Sequence, residues 1–134
     1  MYGDEALTQL FFGSGGGSGG TDNVLFDNPH GGFGGSGGGI VYIMSAGAVT
    51  GAGTISSRGV AGEGDLPAVD CGGSSTTQCW DFSGPGGGGA GGAVLVTGMS
   101  FSSTADASGG AAGHGWSTTM QLAGAGSVGR VKTP

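Results

Sequence analysis

Three glycine runs that pass without a break, or nearly so, into short apolar runs limit what this chain can fold into. The clearest join lies at 84–96, a second at 31–43, and a looser one at 13–26. Ordering one residue costs roughly 1–2 kcal/mol, and glycine has no side chain to bury in return. A chain with 37 glycines in 134 residues is therefore typical of a flexible linker. A solvated linker would not carry the apolar runs 40–43 and 94–96, so we expect ordered structure.

The run at 31–39 reads as glycine triplets, because Phe33 and Ser36 lie three residues apart. Three residues per turn is the period of a polyproline II type segment, which has no internal hydrogen bonds and must pair laterally. We therefore expect an all-β fold: short strands stacked as a repeat, solenoid or sandwich, with ordered polyglycine segments and little or no helix. The glycines expected to pack closely are Gly34, Gly35, Gly37, Gly38, Gly39, Gly86, Gly87, Gly88, Gly89, Gly91 and Gly92.

The length suits one domain. We expect an N-terminal arm at 1–12 and a single glycine-rich β domain at 13–134. Within this domain, two or three loose repeats are predicted, at about 31–64 and 84–115. Residues 37–43 match 90–96 at a shift of 53, and a later match of glycines has a shift of 51. Stacked units of this kind bury their strands against one another.

The apolar runs predict individual strands. Residues 40–44 are apolar at every position, which predicts a strand buried on both faces. Residues 49–57 alternate enough for a second strand, and 93–96 form the strand of the other unit. A further strand is predicted at 24–26, and short, weak strands are predicted at 120–122 and 128–131.

The arm carries the apolar residues Leu7, Leu10, Phe11 and Phe12 and stops at Gly13. It is interpreted as a segment that docks on the body or on a neighbouring subunit. The alternative is a local edge strand.

The net charge of −6 argues against nucleic acid as a partner, because phosphate binding needs clustered basic residues. Arg58, Arg130 and Lys132 are too scattered to form a patch. No apolar run approaches the roughly 20 residues that span a bilayer, so membrane insertion is not expected. The acidic start at 1–5 does not resemble a signal peptide. Either a leader is removed before this numbering, or the protein is made in the cytosol and reaches its place by assembly.

Cys71 and Cys79 enclose a flexible seven-residue loop. A disulfide between them would stabilise the fold by roughly 2–3 kcal/mol and would imply an oxidising final environment. Free thiols or a metal pair are the alternatives. A zinc site wants four ligands, and His30 and His114 are single and distant.

No motif of an enzyme is present, and no cofactor is expected. His114 with Asp106 is a weak candidate for an acid–base pair. Two acidic clusters could supply calcium ligands, although their spacing fits no known calcium loop, so solvated charge is the alternative. Four aromatic side chains could form a surface that binds a glycan or a receptor. The alternative is that the same side chains lie in the core. The calcium candidates are Asp22, Asp27, Glu63, Asp65 and Asp70; the aromatic residues are Tyr42, Trp80, Phe82 and Trp116.

One stretch carries a family resemblance. A glycine run, an apolar strand, a spacer and Gly-Thr-Ile-x-x-x-Gly occur at 34–43 and 53–59. This pattern resembles the glycine-rich repeats of large bacterial surface proteins and of phage tail adhesins. The second unit matches only in its first half, since Ala105, Asp106 and Ala107 replace the Thr-Ile portion. The resemblance implies packed polyglycine II helices or tight turns in a structural or adhesive protein. The triplets also resemble those of the glycine-rich antifreeze protein of snow fleas, without its sustained period.

We therefore expect a non-enzymatic structural protein of an external assembly, most simply a virion surface, fibre or tail-adhesin component. The alternatives are a subunit of a secreted bacterial filament or surface layer, and an ice- or carbohydrate-binding module. The expected partners are further copies or neighbouring structural subunits, with a cell-surface receptor or glycan as another option. The expected location is extracellular or on a virion surface. The isolated chain is expected to be unstable or to aggregate, because its strands and glycine backbones need neighbours.

Overall fold

The computed structural model describes residues 7–20, 31–64, 84–115 and 123–134. These residues form an all-β structure, and none of them lies in a helix. The strands are β1 (Ile40–Met44), β2 (Ala48–Val49), β3 (Thr54–Ser56), β4 (Ala93–Thr97), β5 (Ser100–Phe101), β6 (Thr104–Asp106) and β7 (Arg130–Lys132).

Every strand pairing is parallel and joins one part of the chain to a distant one. β1, β4 and β7 form a three-stranded sheet in that order, while β2 pairs with β5 and β3 with β6. The strands of 40–56 thus pair one by one with those of 93–106. The register places Ile40 opposite Ala93, which equals the shift of 53 at which the two units align in the sequence.

The core lies against one face of the three-stranded sheet. Val94, Val96 and Ala107 are buried, and Val94 is 0% exposed. Apolar side chains of both units pack around them, so the three sheets share this core. The surrounding residues are Val41, Ile43, Val49, Ile55, Phe101 and Ala105. Burial of these apolar side chains supplies the apolar stabilisation that the glycines lack.

The prediction that 40–44 is buried on both faces is wrong. Tyr42 is 50% and Met44 74% exposed, because only the face of β1 that carries Val41 and Ile43 packs against the core. β4, which has neighbouring strands on both edges, is the more buried of the two, and only its Leu95 and Thr97 are half-buried.

Other strand predictions differ in their bounds. The strand expected at 49–57 is divided into β2 and β3 around residues 50–53. The last strand is β7, at Arg130–Lys132. The strands expected at 24–26 and 120–122 lie outside the described residues.

In the arm, residues 7–12 form neither helix nor strand, and residues 1–6 are not described. Leu7 is buried and has a φ of 50°, which is uncommon for a side chain of this size. Leu10 is half-buried, whereas Phe12 is 66% exposed and Phe11 also lies at the surface.

Val94→Ala is expected to lower the free energy of unfolding by about 2 kcal/mol, because it removes buried methyl groups and leaves a cavity. Urea unfolding measures the change. Val131→Ala is the matched control: Val131 is opposite Val94 in the sheet but 45% exposed. The control should cost less than about 1 kcal/mol, and equal losses from the two variants would contradict this location of the core.

Candidate functional site

Six glycine-rich segments without strand structure make up most of the remaining described chain. We number them segment I (13–20), II (31–39), III (57–64), IV (84–92), V (107–115) and VI (123–129). Segments II, IV and VI run directly into β1, β4 and β7, and segments III and V leave directly from β3 and β6. Each of these strands is therefore a direct continuation of the segment to which it is joined.

Hydrogen bonds between neighbouring segments recur every third residue. The amides of Gly13, Gly16 and Gly19 donate to the carbonyls of Gly38, Gly35 and Gly32, each at 2.8 Å, so segments I and II are antiparallel. The amides of Gly32, Gly35 and Gly38 donate in turn to Gly84, Gly87 and Ala90, so segments II and IV are parallel. A three-residue period is the one expected of an extended left-handed backbone.

Segment IV lies at the centre of these contacts. Its amides donate to segment I from Gly84, Gly87 and Ala90, to segment III from Gly86, Gly89 and Gly92, and to segment VI from Gly88 and Gly91. Its carbonyls accept from segment II, and those of Gly86 and Gly89 accept from segment V. One segment is therefore hydrogen-bonded to all five others.

Close approach explains the glycines in these segments. A β-carbon on Gly35 would fall within 3.0 Å of the backbone of Val60, and one on Gly89 within 3.0 Å of Ser36. No glycine of segments I, II, III, IV and VI has a φ between +20° and +160°, so backbone conformation does not require them.

The glycines predicted to pack closely fall in segments II and IV. A β-carbon on nine of them would come within 3.0 Å of a backbone atom: Gly34, Gly35, Gly37, Gly38, Gly86, Gly88, Gly89, Gly91 and Gly92. Gly39 faces open space, and Gly87 has room for ordinary van der Waals contact, at 3.4 Å.

Sequence reasoning missed segments III, V and VI as packing elements. Their glycines do not form long runs, so composition alone does not mark them. The available signal is glycine at every third position, as in Gly59 and Gly62, Gly110 and Gly113, and Gly126 and Gly129.

The outer face of segments II and III carries exposed side chains. Phe33 is 69% and Val60 54% exposed. Backbone bonds hold the two segments together, from Val60 N–H to the Ser36 carbonyl and from Glu63 N–H to the Phe33 carbonyl. The Glu63 carboxylate also accepts from Phe33 N–H at 3.5 Å. We call Phe33, Ser36, Val60 and Glu63 the II/III face.

Asp106 interacts with Ser108 and Arg58 at the start of segment V. The pKa of its carboxyl lies below the ordinary value of 3.8, because the Ser108 backbone N–H donates to it at 2.9 Å, the Ser108 hydroxyl also bonds to it, and Arg58 lies 3.4 Å away. Arg58 also donates to the Ser108 hydroxyl. His114 lies eight residues further along the extended segment, about 25 Å at 3.1 Å per residue, so the structure does not bring this candidate pair together.

Several candidate residues lie outside the described residues: Asp22, Asp27, Asp65, Asp70, Cys71, Cys79, Trp80, Phe82 and Trp116. Among the described residues, no group of three or more His, Cys, Asp or Glu side chains is placed to hold a metal ion. The same part of the chain contains no helix of the length and apolarity needed to cross a membrane.

The chain was compared with protein-family models, curated proteins and solved structures, and none of them matches it.

Gly35→Ala is expected to lower the free energy of unfolding by about 2 kcal/mol or more, because the added methyl group must displace the Val60 backbone. Gly39→Ala, in the same segment but facing open space, should be neutral or stabilise by up to about 1 kcal/mol. Urea unfolding of the two variants makes the comparison. Similar effects would show that close approach does not explain the glycines.

Ser108→Ala is expected to raise the pKa of Asp106 while leaving it below 3.8, because the backbone N–H of residue 108 still donates. A carboxyl whose pKa is lowered on folding stabilises the fold above its unfolded pKa. That contribution is lost as the pH falls below about 3.8 and through the folded pKa. NMR titration of the carboxyl carbon measures both proteins, and an unchanged pKa would contradict the role of the hydroxyl.

Proposed function

We propose that this chain is a non-enzymatic structural component of an external assembly, and that its six segments form a polyglycine II type bundle continued by a short β-solenoid. The observation that carries the proposal is the bonding of segment IV to five neighbours by backbone groups alone. Such a bundle is a building element, because its interior consists of main chain and offers few side chains for chemistry.

The energetics support a structural role. Each ordered glycine costs roughly 1–2 kcal/mol of conformational entropy. A lateral hydrogen bond contributes about 1 kcal/mol, with a smaller term from Cα–H···O contacts. These bonds offset part of the ordering cost, and the offset is greatest for a segment with several neighbours, as segment IV has. Outer segments have fewer, so further copies or other subunits would stabilise them.

The exposed apolar residues support association. Phe33 and Val60 on the II/III face, and Tyr42 and Met44 on the edge strand β1, are each at least half exposed. Exposed apolar side chains grouped on a rigid surface favour a protein partner. The resemblance of 34–43 and 53–59 to surface-protein and tail-adhesin repeats supports an extracellular or virion location.

The experiment is sedimentation velocity of the full chain over a range of concentrations, combined with thermal unfolding. We expect concentration-dependent association, and we expect the double variant Phe33→Ser and Val60→Ser to weaken it at least tenfold. Met99→Ser is the matched control, because Met99 is 80% exposed and lies away from the II/III face, in the turn between β4 and β5. This control should associate as the unmodified chain does.

A chain that stays monomeric at every concentration and melts cooperatively would overturn the proposal. Equal weakening by the control and the double variant would remove the II/III face as the contact surface.

A further inference from the structure

The hydrogen bonds of segment IV account for five of the six directions around it. A backbone with three residues per turn directs its N–H groups along three lines about 120° apart, and its carbonyls along three lines between them. In segment IV the three N–H rows reach segments I, III and VI, and two carbonyl rows reach segments II and V. The third carbonyl row, Pro85, Gly88 and Gly91, accepts no hydrogen bond from a described residue.

This row lies in a groove between segments I and VI. A β-carbon on Gly87 would lie 3.4 Å from both the Gly17 nitrogen and the Gly124 carbonyl oxygen, so these segments flank the Gly87 α-carbon. At Gly84 the nearest atom would be the Gly20 nitrogen, at 3.5 Å. Ala90, which is 4% exposed, continues the row of Gly84 and Gly87 toward the sheets.

The two walls of the groove carry further N–H groups without described acceptors. On segment I they belong to Ser14, Gly17 and Gly20, and on segment VI to Gly124 and Ser127. The groove thus presents two rows of donors and one row of acceptors, at three-residue spacing. This arrangement is complementary to one extended backbone that donates to segment IV and accepts from segments I and VI.

We infer that the groove between segments I and VI binds one extended Gly-Gly-X segment of a different structural subunit. The inference rests on the polyglycine type bundle proposed above. Segment II shows which sequence fits such a position, because it also lies against segment IV between two other segments. Two of its residue rows are glycine where they meet its neighbours, and the third row, with Phe33 and Ser36, is exposed. The bound segment needs the same pattern, with X facing solvent.

The test is NMR titration of the ¹⁵N-labelled full chain with a peptide of four Gly-Gly-Ser repeats. We expect shifts and slower hydrogen exchange at the amides of Gly17, Gly20 and Gly124, and no binding of a peptide of four Gly-Ser-Ser repeats. Gly87→Val places a side chain in the groove and should weaken binding at least tenfold. Gly39→Val is the matched control, because it faces open space on segment II and should bind as before. Gly87→Ala provides a second, smaller block.

Protection of the Gly35 and Gly89 amides shows separately whether the bundle is formed. If they are protected and the peptide causes no shift, or if Gly87→Val binds normally, the groove inference fails alone. If they exchange freely, the proposed bundle fails.

If a chain lacking residues 1–6 binds the peptide and the full chain does not, the occupant is the chain's own N-terminus. If the groove amides lose protection on dilution, the occupant is a second copy. Either result overturns the assignment to a different subunit.

Discussion

Lateral hydrogen bonds between glycine backbones are the interaction on which the rest of this structure depends. The segments have no helical or strand ladder of their own, so each buried N–H and carbonyl needs a partner from another segment. Such bonds form only if the backbones approach closely, and at Gly35 or Gly89 a single methyl group would prevent this. Segments II and IV continue into β1 and β4, so their spacing also aligns these strands.

The backbone groups that hold the bundle together differ from the groups that remain exposed on its surface. The interior of the bundle is main chain, and the side chains that remain are directed outward, as at Phe33 and Val60, or lie in the small core around Val94. Under the proposals above, a partner would be recognised in two ways: by outward side chains, or by the backbone groups beside Gly87 that no described residue pairs. The second way depends on hydrogen-bond spacing and tolerates few side chains in the bound segment.

Local pattern predicted the joins between glycine runs and strands well. The strands that follow segments II and IV begin at Ile40 and Ala93, where glycine gives way to apolar residues. The pattern gave wrong or missing predictions where burial and packing depend on neighbouring parts of the fold. The uniformly apolar β1 is half exposed because only its Val41 and Ile43 face packs against the core, whereas the similar β4 lies between two strands and is more buried. The glycines spaced by three in segments III, V and VI gave a signal too sparse to separate from loop chain.

The sequence by itself determined that the described chain is all-β, where its two longest strands begin, and which of its residues can tolerate close backbone contact. These properties follow from local chemistry: apolar runs need burial, and only glycine lacks a β-carbon. Only the tertiary structure decided that segment IV is central, that all strand pairs are parallel, and that segments I and VI flank a groove. The segments share glycine at every third position, so their neighbours are fixed by the chain connections and by the matching of N–H and carbonyl rows.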